Sequence, residues 1–170
     1  MIRLARYDEA AVALSIAQRG FAETRDYPNP SSALREGLEV FQRAFAKGGL
    51  VLAFAGVEAI GTARLSVDER LRPHVERAAM GERFDRVAGS ELSYARLAVV
   101  PEHRGEGHGR AIAHWIEDLA RNLGAETLRV DARSQQPDNR PFYEAMGFTI
   151  DGYSARYGIP DIRTHLSKLL

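Results

Sequence analysis

Apolar positions recur along this chain with two different periods, and each change of period marks an element. Residues 2–6 read as a short first strand, after which Asp8 can cap a helix carrying Leu14, Ala17 and Phe21 on one face. Beyond the turn at Pro28 and Pro30, Leu34, Leu38, Phe41 and Phe45 recur at helical spacing, with Ser31 or Ser32 as cap and Gly48-Gly49 as stop. Residues 50–55 and 59–66 then read as two strands joined by the tight turn Gly56-Val57-Glu58.

Residues 67–88 lose this regularity. Arg70, Arg72, Arg77, Arg83 and Arg86 stand among Asp68, Glu69, Glu76, Glu82 and Asp85, which predicts an inserted, partly helical excursion with a solvated charged face. Regular structure returns as a long strand over residues 91–100. A helix starts near His108, with Ile112, Trp115, Ile116, Leu119 and Leu123 on one face and Gly124 as its stop. A strand over 127–132, a short helix over 141–146 and strands over 148–153 and 163–169 complete the chain. Strand, helix, strand from 91 to 132 is a crossover that sets two strands parallel, while hairpins add antiparallel neighbours, so the sheet is expected to be mixed.

Composition narrows the function. With 170 residues and no repeat, the chain fits one domain over 1–170, interrupted by the charged insertion at 67–88. Its 23 basic side chains are matched by 23 acidic ones, which argues against nucleic acid as a partner. The amino terminus lacks the apolar core of a signal peptide, and no apolar run reaches the ~20 residues of a membrane span, so a cytoplasmic protein without a membrane partner is expected. There is no cysteine, which excludes a thioester on the protein and thiolate metal sites. His103, His108 and His114 lack H-x-x-x-H spacing and acidic partners in register, so no metal is expected.

The chemistry concentrates where the long strand meets its helix. Gly105, Gly107 and Gly109 fall within five residues of the segment VVPEHRGEGHGR. Glycines allow positive φ angles and close approach of a ligand, so successive N–H groups can converge on a phosphate at a helix amino terminus. Arg104 and Arg110 can add charge-assisted bonds. The spacing fits neither a P-loop, which needs G-x-x-x-x-G-K-[ST], nor a dinucleotide fingerprint, because the third glycine position falls on Arg110 or Ile112.

Arg104-x-x-Gly107-x-Gly109 resembles the [Q/R]-x-x-G-x-[G/A] motif of the GNAT superfamily of N-acyltransferases. ARLAVVPEHRGEGHGRAI is similar to that family's strand, loop and helix, RPFYEAMGFTIDG to its later helix and strand, and AGVEAIGTARL to its central hairpin. The tail YGIPDI resembles the ElaA-type branch, with Asp161 where that branch carries histidine. The resemblance implies an α/β fold: a mixed, mostly antiparallel sheet of six to seven strands with one splayed parallel pair, flanked by about four helices. It also implies acetyl-CoA as cosubstrate, direct transfer to a small-molecule or peptide amine, and the homodimers common in the family.

Residue by residue, the resemblance assigns acetyl-CoA contacts to Leu97, Ala98, Val99, Arg104, Gly105, Glu106, Gly107, His108, Gly109 and Arg110, with the Val99 N–H directed at the thioester oxygen. Gln136 stands where the family commonly has asparagine, and Asn139 is the second choice for that contact. Tyr143 matches the family's general acid and Glu91 resembles in position its general base. A base matters because a lysine-like amine of pKa ~10.4 is only about 0.04% neutral at pH 7. Two other readings remain: a long-chain N-acyltransferase related to acyl-homoserine-lactone synthases, and a CoA-binding module of the same fold without catalysis.

Overall fold

The computed structural model describes residues 1–134, 138–155 and 162–170. Seven strands form one sheet in the order β1-β2-β3-β4-β5-β7-β6, with β1 at Ile2–Leu4, β2 at Leu50–Ala55, β3 at Glu58–Val67, β4 at Val87–Val99, β5 at Ala125–Arg133, β6 at Thr149–Ala155 and β7 at Ile162–Leu169. Only the pairing of β4 with β5 is parallel. The helix between them, α4 (His108–Asn122), makes the expected crossover. Four other α-helices complete the described set: α1 (Ala10–Phe21), α2 (Leu38–Ala44), α3 (Val75–Ala79) and α5 (Arg140–Glu144). No helix among the described residues is long and apolar enough to cross a membrane.

Strand alternation divides the core in two. Leu50, Leu52 and Ile60 point to the face covered by α1 and α2. Val51, Ala53, Leu65, Leu92 and Leu128 point to the other, where Ile112, Ile116, Leu119 and Leu123 of α4 pack beside Met146 and Phe148. The face of α4 expected from its spacing is the buried one.

Three local expectations are corrected. Of the expected stripe Leu14, Ala17 and Phe21 only Ala17 is fully buried; the buried face of α1 is Ala10, Ala13, Ile16, Ala17 and Gly20. Small residues are selected there because the helix lies close to β4: a Cβ on Gly20 would fall 2.8 Å from the Cβ of Ala98. The helix expected over 31–47 breaks at Glu36-Gly37 into a 3-10 turn over Ser32–Arg35, capped by the Ser31 hydroxyl, and α2. The 67–88 segment does carry paired surface charges, such as Arg70 with Asp68, but it also contributes Leu71, Val75 and Ala78 to the main core.

That segment closes the carboxyl end of α4. The Phe84 N–H donates to the Asn122 carbonyl and the Val87 N–H to the Gly124 carbonyl. Gly124 has φ +74°, and a Cβ there would overlap the Asp85 carbonyl oxygen. Gly124→Ala is therefore expected to lower stability by at least about 1–2 kcal/mol, the cost of a left-handed conformation alone, read as a fall in the urea midpoint at constant m.

Candidate active site

β4 carries an extra residue relative to β3. Thr62 faces Ala98 and Arg64 faces Ala95, so two steps on β3 match three on β4. The bulge centres on Arg96, whose φ of +57° makes it the one non-glycine with positive φ among the described residues. Such a conformation is costly for arginine and persists only where its surroundings hold it. Here the Arg96 guanidinium bonds both carboxylate oxygens of Glu36 and the Ser32 hydroxyl. Glu36 also binds Arg64 at 3.2 Å. Burial raises the Glu36 pKa, but hydrogen bonds and charge from the two arginines outweigh it and hold the carboxyl below its ordinary value.

Beside the bulge the parallel pair opens. β4 and β5 are in register from Glu91 opposite Thr127 to Tyr94 opposite Val130, and no further. Past that point β4 stays with β3 as far as Val99 opposite Gly61, and β5 stays with β7 as far as Arg133 opposite Arg163. The expected splayed pair is thus a fork, with Leu97, Ala98 and Val99 on one prong, where β4 is no longer paired with β5. Behind the fork the Arg133 guanidinium donates to the Asn29 carbonyl at 2.6 Å, so the connection between α1 and α2 is tied to both prongs.

The glycine-rich loop sits at the open end. The Arg104 N–H bonds the Pro101 carbonyl and the Ala111 N–H bonds the Gly107 carbonyl; between them no amide of residues 105–110 donates to a backbone carbonyl among the described residues. Gly105 and Gly107 have φ +80° and +85°, with no atom within 4 Å of where a Cβ would stand. Gly107 is the left-handed amino cap of α4. Free amides, a helix amino terminus and open space together fit a pyrophosphate. Gly109 is placed where a Cβ would meet Val99 and Phe142 at ordinary contact distances, so it joins β4 to α5.

The loop's charged side chains are arranged differently from expectation. Arg104 spans to α1: its guanidinium pairs with Glu23 at 2.6 Å and bonds the carbonyls of Gly20 and Val99. Among described residues Arg110 has no ion pair and remains available to a phosphate. The histidines do have an acidic partner, because Glu106 Oε2 lies 3.3 Å from His103 Nδ1 and 3.0 Å from His108 Nε2. Three donor atoms within 4.8 Å could meet a cation, but they are already hydrogen-bonded to one another on an exposed loop.

On the α4 side, Tyr143 of α5 stands at the fork. Its half-buried ring is edge-on to Phe142, Phe148 and Tyr94, with centroids 5.1, 5.8 and 6.3 Å away. Burial pushes its phenol up to about 12. Tyr94, on the last paired rung, is 4% exposed, and its hydroxyl is the single buried side-chain polar atom without a partner among the described residues. Burial, then the proximity of Tyr143 and Glu117, raises its pKa further still. α5 is anchored through Lys168, which bonds the Met146 carbonyl at 2.8 Å and the buried Glu117 at 2.7 Å. Asn139 precedes α5 and its N–H reaches the Arg133 carbonyl at 3.3 Å; Gln136 lies outside the described residues.

The opposite face of the fork holds a cavity of about 470 Å³, walled by α2, β3, β4 and β5. Glu91 lines it, three residues below the point where the strands part, with its carboxylate 2.8 Å from the Arg129 guanidinium. Tyr143 and Glu91 therefore approach the fork from opposite faces of the sheet. Arg96, Glu36 and Tyr94 escaped the sequence reading. For Tyr94 a signal existed, since it alternates with Leu92 on the buried face of β4.

Comparison with known proteins gives this geometry a context. A model of the acetyltransferase (GNAT) family matches residues 17–148. Among solved structures, the chain is similar to the ribosomal-protein-S18-alanine N-acetyltransferase of Escherichia coli, with 16% identity, TM-score 0.71 and coverage of 99% of this chain and 92% of that one. It is also similar to a putative acetyltransferase of Salmonella typhimurium with its cofactor acetyl-CoA, with 17% identity, TM-score 0.64 and coverage of 100% and 93%. A spermidine N-acetyltransferase chimera from Vibrio cholerae and hSSAT gives 13% identity, TM-score 0.66 and coverage of 99% and 95%. At such identities the likeness is one of fold.

Proposed function

The chain belongs to the GNAT acetyltransferase family, and from that premise we propose that it transfers the acetyl group of acetyl-CoA directly to a primary amine in a ternary complex. The observation that carries this reading is the meeting of six loop amides, without a backbone acceptor among the described residues, with the open end of a strand fork. The amides of residues 105–110 and the Arg110 guanidinium take the pyrophosphate, with Glu106 and His108 shaping that loop. The freed backbone of Leu97, Ala98 and Val99 takes the pantetheine arm as an added strand would, and the Val99 N–H is directed at the thioester oxygen, where negative charge grows. Arg104 contributes by fixing the loop against α1. Gln136 or Asn139 adds a further contact to the CoA arm.

Acetyl-CoA supplies an activated acyl carbon. As the amine nitrogen forms the C–N bond, the C–S bond breaks and its electron pair leaves on sulfur. An ammonium acceptor gives up two protons in all, one ending on the CoA thiol and one released. Tyr143 donates a hydrogen bond to the departing thiolate. With its phenol near 12, above the ~8.5 of a thiol, it stabilises the sulfur without surrendering its proton outright. Glu91, on the acceptor side, receives the ammonium proton directly or through water.

Release of free CoA thiol that depends on added amine, with the acetylated amine recovered, tests the reading. Acetyl-CoA binding without turnover on any amine would leave a binding module, and turnover with long-chain acyl-CoA alone would identify the long-chain enzyme. Glu91→Gln is expected to lower kcat/KM about 10²-fold at neutral pH, with less effect at a pH where the amine arrives neutral. An unchanged rate would make Glu91 only the partner of Arg129.

A further inference from the structure

We propose that the 470 Å³ cavity opposite α4 is the acceptor site and that it selects amines bearing an anionic group, carboxylate or phosphate. The inference rests on the acetyltransferase reading above and adds the substrate class. The cavity is bounded at one end by Tyr94, Ala95 and Val130, the residues where the strands part, so an amine held there faces the reacting carbon. The wall that faces the strands carries Arg43 and Lys47, on and just after α2. The volume suits a small ligand, within the roughly 300–1,000 Å³ of ordinary sites.

The charges of this cavity do not cancel. Four cations line it, Arg43, Lys47, Arg64 and Arg129, against two carboxylates, Glu91 and Asp131. Most are already committed. Arg64 binds Glu36, Arg129 bridges Glu91 and Asp151, and Asp131 binds Arg163 and His165. Arg43 and Lys47 have no carboxylate partner among the described residues. Two uncommitted cations on the wall of a cleft focus a positive potential into it, which attracts an anion and repels a polycation. The two carboxylates lie on the strand floor, Glu91 three residues below the fork and Asp131 one past it, where the ammonium must be received. The arrangement therefore matches a zwitterion held across the cavity, nitrogen toward the strands and anion toward α2.

Calorimetric titration of the CoA-bound protein with O-phosphoethanolamine, β-alanine, ethanolamine and spermidine tests this, with a separate acetyl-CoA titration reporting on the underlying reading. At least tenfold tighter binding of one or both anionic amines than of ethanolamine is expected, with spermidine weakest. The two anionic probes distinguish phosphate from carboxylate. Arg43→Glu and Lys47→Glu should each weaken the preferred anionic amine about tenfold while leaving acetyl-CoA affinity unchanged, which also shows that the variants are folded. Equal binding of O-phosphoethanolamine, β-alanine and ethanolamine, preference for spermidine, or charge reversals without effect would overturn the proposal. So would failure of both anionic amines to bind at millimolar concentration by a protein that binds acetyl-CoA. Failure of acetyl-CoA itself to bind would instead strike the acetyltransferase reading.

Discussion

Tyr143→Phe should lower kcat about 10²- to 10⁴-fold while leaving the affinity for acetyl-CoA nearly intact. The range is that of a positioned acid or base, and the ring itself survives the substitution. Its contacts with Phe142, Phe148 and Tyr94 are contacts of the aromatic edge and face, so the hydroxyl is the only group removed. Burial pushes the phenol up to about 12, so it stays protonated throughout the neutral range. The loss should therefore be the same across the neutral range, and steady-state kinetics between pH 6 and pH 9 can show it. A loss that vanished toward alkaline pH would assign the stabilisation of the thiolate to another group, and an unchanged kcat would make Tyr143 a packing residue.

The second large effect concerns the loop. Acetyl-CoA at one hundred times its dissociation constant should add ~2.7 kcal/mol to the stability of the native protein, and Gly107→Glu should abolish that gain. Space is not the obstacle, because nothing lies within 4 Å of the missing Cβ. The obstacles are the φ of +85° and a carboxylate set among amides that await a phosphate. Gly107→Asn separates the two, since asparagine tolerates the left-handed conformation and carries no charge. Thermal unfolding with and without acetyl-CoA should show stabilisation of wild type, partial stabilisation of the asparagine variant and none for the glutamate variant. Equal stabilisation of all three would move the pyrophosphate away from this loop.

Legibility in the sequence followed the range of the interactions. The hairpin of β2 and β3, the crossover through α4 and the glycine loop are written in local spacing, and all three stand where the pattern placed them. The buried face of α1 was misread because it is built from alanine and glycine, chosen for closeness to β4 and not for apolar bulk. The bulge at Arg96 had no local signal at all: a left-handed arginine is made by Glu36 and Ser32, sixty and sixty-four positions earlier. Arg104 shows the same limit from the other side. Its place in the motif was plain, whereas the pairing of its guanidinium with Glu23 depends on where α1 ends in space.

The Arg96 contact joins two walls that otherwise belong to different substrates. Its backbone belongs to the β4 prong proposed to receive the acyl donor, and its side chain is held by Glu36, which also binds Arg64 at the cavity proposed for the acceptor. An acceptor that disturbed the Arg64–Glu36 pair would alter the grip on Arg96 and with it the geometry of the β4 prong. Linkage then requires reciprocity: by whatever factor the acceptor changes the affinity for acetyl-CoA, acetyl-CoA must change the affinity for the acceptor. One arginine forced into an unfavourable conformation would thereby make the two proposed sites thermodynamically aware of each other.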